Sequence, residues 1–454
     1  MEQIKGTKLF LYNLSSAGHA LFDSILLAFY MNFLLPPSET VSSGELEQYL
    51  PEKILYIIPT IGFIMFAGRI VDAVSDPLIA SISDKSRSYL GRRRLFLIIS
   101  IIPFTLSTAL IFFPPAAGPS VINIIYLSLM FSLFFLFYTM YVAPYIALIP
   151  ELAHTEEKRL SITTAQGYFA LMGGAIAMIG GSALIGIFRK KYTLTKSYQF
   201  TIIVLCIIGF IFLLMAILAV NEKKYTKSIP SSLAIIPSIK KTLSNSYFII
   251  FLLSYMSGWF VFNILRSSAV HIGETMMGLN VEESGLNFII LFVSAGLSFA
   301  GVMFFSKKYG KKNVMITGLL LFSIFSIGLA LTGILPFDKN LYGKVFWGLL
   351  GIPTAVFLIL PNVFIAELCD YDYKLTGENR EGIYFGVNGL FLKLNLGLST
   401  AAASVLYVFF GKDISNPFGI RLSLLLGAAV SIIGTIILMK YPNRLSEKTI
   451  QNAA

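Results

Sequence analysis

The chain has 454 residues, 56% of them hydrophobic and only 13% charged, with a net charge of +11. Soluble globular proteins carry about 25% charged residues, so this composition excludes that class and indicates a polytopic membrane protein. The basic excess does not point to nucleic acid, because Lys and Arg fall mainly in short loops between apolar runs, where membrane topology accounts for them.

Residues 1–8 form a short polar start. The apolar run that follows is too long for a signal-peptide core, so no cleavable leader is expected. Cys206 and Cys369 build neither a disulfide framework nor a zinc spacing. A membrane span needs about 20 apolar residues. About twelve such runs follow, near 9–35, 53–82, 95–115, 120–152, 161–188, 199–220, 246–270, 282–306, 313–335, 341–369, 382–410 and 416–440.

The loop after the first run is acidic and has no Lys or Arg before Lys53, whereas the next loop is strongly basic. Lys223, Lys224, Lys227, Lys240 and Lys241 lie between the sixth and seventh runs, and Lys307, Lys308, Lys311 and Lys312 between the eighth and ninth. By the positive-inside rule, both termini are expected in the cytoplasm of a cell-membrane protein. One loop disobeys: Arg189, Lys190, Lys191 and Lys196 are placed outside.

A glycine followed by bases recurs six runs apart, as Gly91-Arg92-Arg93-Arg94 and Gly310-Lys311-Lys312. With the long basic link, this predicts an all-α membrane protein of the major facilitator fold, built from two pseudo-symmetric six-helix halves. The expected divisions are 1–220, a linker at 221–245, and 246–454.

The stretch that carries the chemistry is Gly68-Arg69-Ile70-Val71-Asp72-Ala73-Val74-Ser75-Asp76-Pro77. A charge at the centre of a span costs roughly 2.5–3.5 kcal/mol on the lenient insertion scale. Arg69, Asp72 and Asp76 are spaced three and four apart, which stacks them on one helical face with Ser75 beside them. A structural ion pair is one reading. The preferred one is a cation site, since hard cations take oxygen ligands, and sodium is a candidate at Asp72 and Asp76.

Few other polar residues interrupt the spans. His19 and Asp23 share a face of the first, as a packing pair, a solute anchor or a proton relay. Tyr138, Thr139, Tyr141 and Tyr145 surround Pro144 in the fourth, and Trp259, Asn263 and Arg266 lie in the seventh. Lys393 lies deep in the eleventh between Asn388 and Asn395. A buried lysine needs a partner or a shifted pKa, and the acids at similar depth are Asp72, Asp76 and Asp23. Lys393 and Arg69 are therefore expected to act as coupling counter-charges. At the cytoplasmic ends, Arg87, Arg92, Arg93 and Arg94 are expected to meet Glu151, Glu367, Asp370 and Asp372 across the halves as a gate.

Several motifs, taken together and in order, resemble the glycoside–pentoside–hexuronide:cation symporters. They are Asp72-Ala73-x-Ser75-Asp76-Pro77, the loop from Arg87 to Arg94, and Ala143-Pro144-Tyr145-x-Ala147-Leu148-Ile149-Pro150-Glu151-Leu152. Cys369-Asp370-Tyr371-Asp372, Arg380-Glu381-Gly382-x-Tyr384-Phe385-Gly386 and the Lys393 helix complete the match. The resemblance implies a cation site of Asp72, Ser75, Asp76 and Thr139, with Lys393 nearby and sodium, lithium or a proton as coupling ion. Ser75 stands where the family's melibiose carrier has asparagine.

The sugar side departs from that pattern. Ala20, Val142, Ile146 and Gly167 occupy positions that hold charged or aromatic sugar ligands in the melibiose type. Asp23, one turn from Ala20, and Gln166 are candidates to replace them, with His19, Tyr138, Tyr145 and Asn263 completing the expected solute site. The family also resembles the sodium-dependent lysophosphatidylcholine transporters of animals, which makes an amphiphile the competing solute.

The expected function is therefore cation-coupled uptake of a small solute by alternating access. It needs no cofactor beyond the coupling ion, no nucleic acid and no obligate protein partner, only the solute and the lipid bilayer. A membrane-embedded enzyme is disfavoured because His19, His154 and His271 are scattered. A channel is disfavoured by carboxylates in one half facing a lysine in the other.

Overall fold

The computed structural model describes residues 4–54, 58–86, 88–153, 156–222, 242–376 and 381–443. The linker Lys residues of the sequence reading fall at 223–241, outside these. Among the described residues, twelve long helical segments follow one another in chain order. In the first half they are α1 (Gly6–Leu34), α2 (Thr60–Lys85), α3 (Arg94–Leu110) and α4 (Val121–Ala147). Next come α5 (Glu156–Ala175, continued by Ile176–Gly180 and Gly181–Arg189) and α6 (Leu194–Ala219). The second half holds α7 (Ser246–His271), α8 (Asn287–Tyr309), α9 (Lys311–Ala330), α10 (Lys339–Thr376), α11 (Glu381–Phe410) and α12 (Phe418–Met439).

Among the described residues, 10 helices are long and apolar enough to cross a membrane. The other two are α3, which is shorter, and α2, whose length matches its neighbours but whose middle carries Arg69, Asp72 and Asp76. The helical form follows from the solvent, since hydrocarbon offers no partner to a backbone N–H or C=O and each segment must satisfy its own.

The second span starts later than expected. Residues 53–59 hold a two-stranded antiparallel pair, β1 (Lys53–Ile54) with β2 (Ile58–Pro59), and α2 begins at Thr60. Pro59 has no N–H to continue a helix backwards, and its φ of -59° suits the residue preceding the first turn.

The chain divides into two compact units. One is Met1–Ser231 with Ser267–Gly273 and Asn280–Leu286; the other is Ser232–Arg266 with Glu274–Leu279 and Asn287–Ala454. In the first unit α1 packs on α5 and α6, α2 on α4, and α3 on α4 and α6. In the second unit α8 packs on α10, and α9 on α10 and α12. The pairings α2–α4, α3–α4 and α3–α6 thus recur six helices later, as a duplicated architecture requires.

The repeated glycine-base motif explains part of that correspondence. Gly91 has φ 107° and Gly310 has φ 84°, positive values that only glycine adopts without strain; Gly310 caps the start of α9, and Gly91 turns the chain three residues before α3 begins. The bases beyond them reach the ends of other helices. Arg93 Nη1 donates to Ala147 O at the end of α4, and Arg94 Nε donates to Ile217 O near the end of α6 at 3.1 Å. In the second unit Lys312 Nζ donates to Met439 O at the end of α12 at 2.9 Å. A cation on a helix C-terminus satisfies orphan carbonyls and meets the negative end of the dipole.

Glu222 supplies the opposite device. Its Oε2 accepts from the backbone N–H of Arg93 at 2.9 Å and of Arg94 at 3.0 Å, so a carboxylate from beyond α6 caps the start of α3. Hydrogen bonds to charged groups are worth about 1.5–3 kcal/mol, so Glu222→Ala should lower stability by about that amount in thermal unfolding of the purified protein. Gly91→Ala should be worse than Gly44→Ala. Both positions have positive φ, but a Cβ at Gly91 would lie 2.5 Å from Glu222 Oε2, whereas none at Gly44 meets an atom within 4 Å. Equal losses at the two glycines would contradict this account of the cap.

Candidate functional site

Helix α2 positions the chemistry by being two-faced. Ile70, Val74, Leu78 and Ile82 recur every fourth residue and are 48–56% exposed, so they form an apolar stripe suited to lipid. The opposite face carries Arg69 at 4% exposure, Asp72 at 0% and Ser75 at 4%. A charge on the stripe would lie in hydrocarbon; on this face it meets α1 and α4 instead.

Asp72 is held from both sides. Arg69 Nη1 donates to its Oδ2 at 3.0 Å, one turn back on the same helix, and Thr139 Oγ1 of α4 lies 2.8 Å from its Oδ1. The guanidinium also lies over the Phe135 ring, 4.1 Å from the centroid, a cation–π contact that replaces part of its lost hydration. Its Nη2 is 4.0 Å from Asp23 Oδ1 of α1. Arg69 therefore connects the α2 acids to the half-exposed Asp23, a link that spacing within α2 alone does not reveal.

Thr139 Oγ1 is equally 2.8 Å from Asp76 Oδ1. A hydroxyl has one proton, so it can donate to one of these carboxylate oxygens and not to both. The second close contact needs another proton or a cation between the oxygens. Asp72, Asp76 and Thr139 thus offer three hard oxygen atoms around one point, the donor type that sodium or lithium prefers. Ser75 lies beside them, but its hydroxyl donates to Asp72 O at 3.0 Å, so its proton is spent on the backbone and its lone pairs are left for a ligand.

The first-unit residues assigned to the solute separate into two groups. Asp23 and His19 are half-buried on α1, and the His19 ring packs edgewise on Tyr138 and Tyr145, with centroids 6.4 and 5.7 Å away. Tyr145 and Gln166 belong to a polar knot that ties helices together. The Tyr145 phenol donates to Tyr12 O at 2.8 Å and accepts from Gln166 Nε2 at 2.9 Å, with Ser16 Oγ also 2.9 Å away. Tyr12 returns a bond to Tyr145 O at 2.7 Å, and Tyr141 donates to Leu213 O at 2.6 Å. These bonds join α1, α4, α5 and α6, and they give Tyr145 and Gln166 the work of holding the wall behind His19. Ile146 and Gly167 are exposed, and a Cβ at Gly167 would meet nothing within 4 Å.

Asn263 and Lys393 belong to the second unit. Asn263 is buried on α7 at 3% exposure, one turn from Trp259, whose ring meets Phe262 and Tyr255 edgewise. Lys393 is half-buried on α11, which Asn395 ties to α7 by donating to Met256 O at 3.0 Å.

Of the residues assigned to a cytoplasmic gate, Arg87 and the Glu151 side chain lie outside what the structure describes. Arg93 and Arg94 cap helices of their own unit, as above, and Glu367 pairs with Lys311 within the second unit. Arg92 is half-buried, Asp370 exposed, and Asp372 buried at 6% exposure. Glu222 was missed in the sequence because it stands alone after α6, far in the chain from the amides that it caps.

The family described as MFS/sugar transport protein matches residues 11–442. The inner membrane symporter YicJ of Escherichia coli (strain K12) is 22% identical over 405 residues, covering 88% of this chain and 81% of its own. The sodium-dependent lysophosphatidylcholine symporter 1 of Gallus gallus is 22% identical over 414 residues, covering 83% and 77%. A crystal structure of a D-xylose–proton symporter superposes with TM-score 0.69 at 13% identity, covering 96% of this chain and 98% of its own, and shares the major facilitator fold. The chain belongs to the MFS/sugar transport protein family, and it is a multi-pass membrane transporter, not an enzyme, that carries out secondary active transport of a small solute.

Proposed function

We propose that the protein couples the entry of a cation, sodium or a proton with lithium as a third candidate, to uptake of a glycoside or sugar acid across the cell membrane. The observation that carries this reading is the single Thr139 hydroxyl within 2.8 Å of both Asp72 and Asp76. The Arg69 guanidinium meets Asp23 and Asp72, Thr139 joins Asp72 to Asp76, and gathering negative charge away from water is costly. A bound cation removes that cost, which shifts the balance between the two access states and so couples ion to solute. Lys393 is the counter-charge when no cation is bound.

The solute is held by Asp23 and His19, with Tyr138 beside them, Gln166 and Tyr145 supporting, and Asn263 contributed from the second half. The inner gate pairs Arg87 and Arg92 with Glu151, Asp370 and Asp372. Both termini lie in the cytoplasm. A second reading, an amphiphile such as a lysolipid, is favoured by Ala20, Val142, Ile146 and Gly167, which leave the neighbourhood of Asp23 with little to hydrogen-bond a sugar. A polar ligand must recover from the protein the hydrogen bonds it gives up in water.

Uptake into proteoliposomes on a sodium or proton gradient tests the cation site. Asp72→Asn and Asp76→Asn should each abolish accumulation while the protein remains folded. Thr139→Ser should keep cation dependence, whereas Thr139→Val should weaken cation affinity at least about tenfold, the equivalent of one lost hydrogen bond to a charged group. Normal accumulation by both asparagine variants would refute the site, and counterflow without stoichiometric exchange would indicate a channel.

Thermal stabilisation and direct binding test the solute. A panel of glycosides, sugar acids and lysolipids, with and without sodium, should yield a ligand whose binding is lost in Asp23→Asn, while melibiose binds weakly or not at all. Removing one member of a buried ion pair costs about 3–5 kcal/mol, so Lys393→Arg should retain more transport than Lys393→Leu. Tight melibiose binding, or equal transport by the two lysine variants, would overturn the respective assignment.

A further inference from the structure

Arg189 ends α5 on the face that the positive-inside reading assigns to the outside, where a base is out of place. Its guanidinium spans two acids. Nη2 is 2.6 Å from Glu45 Oε2 and Nη1 is 3.4 Å from Glu282 Oε2. Glu45 comes from the segment after α1, and Glu282 from the short helix Val281–Ser284 that precedes α8. Glu45 is itself fixed at the start of α6, where Thr195 N donates to Glu45 O at 3.2 Å and Glu47 N donates to Thr195 Oγ1 at 3.1 Å.

The packing beneath the charges is closer than any side chain allows. Ser182, Gly186 and Arg189 follow at spacings of four and three, so they form one stripe of α5. A Cβ at Gly186 would lie 2.7 Å from Glu282 Cγ, and one at Gly285 would lie 1.7 Å from Ser182 Oγ. Glycine backbone meets the partner side chain directly at both contacts, and the Asn280–Leu286 segment belongs to the first unit although its chain runs directly into α8 of the second. His271 Nε2, 3.0 Å from Leu35 O, gives the neighbouring Ser267–Gly273 segment its own attachment to the end of α1.

The three charged side chains are 27%, 45% and 23% exposed for Arg189, Glu45 and Glu282. Partly exposed ion pairs are screened by water and salt and hold weakly, which suits a contact that is made and broken repeatedly. We propose that Arg189, Glu45 and Glu282 form a releasable ionic latch that seats the Asn280–Leu286 turn on α5 and opens once in each transport cycle. The inference rests on the alternating-access reading, and it gives Arg189 a purpose that topology does not. The exception to the positive-inside rule is then a base retained for its two acid partners.

The test uses a thiol that the latch hides. Ser284 is fully buried at 0% exposure. In the full chain carrying Cys206→Ala, Cys369→Ser and Ser284→Cys, the thiol should react slowly with N-ethylmaleimide in proteoliposomes. Adding Arg189→Gln or Glu282→Gln should raise the rate about fivefold or more, the lower end of ordinary coupling between sites, while Arg189→Lys keeps it slow. Raising the ionic strength should speed labelling when the latch residues are intact and not in the Gln variants, a control that needs no change in the triad. Equal rates in all variants, or a rate indifferent to salt with the triad intact, would overturn the latch and leave the symport reading standing. Rates that respond to the charge variants but not to sodium or acidification would support the latch and count against cation coupling.

Discussion

Everything distinctive in this structure depends on housing the Asp72 carboxylate, 0% exposed, wholly within protein. The helix that carries it exposes a stripe of Ile70, Val74, Leu78 and Ile82, so its charged face has only protein to meet. Arg69 on one oxygen and Thr139 on the other supply what hydration would have supplied. Phe135 beneath the guanidinium and Asp23 beyond it extend the arrangement onto α4 and α1. The Arg69 guanidinium thereby links the acids proposed for the ion to the acid proposed for the solute. Buried pairs of this kind stabilise little in net terms, because desolvation offsets attraction. Their persistence in an apolar helix therefore argues for function more than for stability.

The rest of the unit keeps that face aligned. The polar knot of Tyr12, Ser16, Tyr145 and Gln166 joins α1, α4 and α5, so that Thr139 and Asp23 are presented by helices with little freedom to slide. At the ends, Arg93, Arg94 and Glu222 close helix termini against one another, and Lys312 does the same in the second unit. Alternating access needs halves that move as bodies, and helices cross-linked at both their middles and their ends meet that need.

The sequence was most readable where hydrocarbon leaves few choices. Among the described residues each apolar run holds a long helix, and the charges within them could be picked out because almost nothing else there is polar. The Asp72–Asp76–Thr139 convergence was legible through the family resemblance, and the helical spacing alone gave its α2 members. Contacts whose partners lie far apart in the chain were not legible. Nothing in a lone Glu222 announces a cap on α3, and nothing in Arg189 announces Glu45 and Glu282, since each depends on which loops the fold brings to one end. Tyr145 and Gln166 look like solute ligands in one dimension because a phenol and an amide serve a wall as well as a ligand. The apolar character of residues 53–59 suits helix or strand alike, and Pro59 sets the helix start at Thr60.

The central claim is that Asp72 and Asp76 bind the coupling cation together, and infrared difference spectroscopy of the purified protein tests it without knowledge of the solute. Adding sodium or lithium, or lowering the pH, should perturb carboxylate bands in the wild-type protein, and Asp76→Asn and Asp72→Asn should each remove that signal. Wild-type difference spectra retained in both variants would contradict the account.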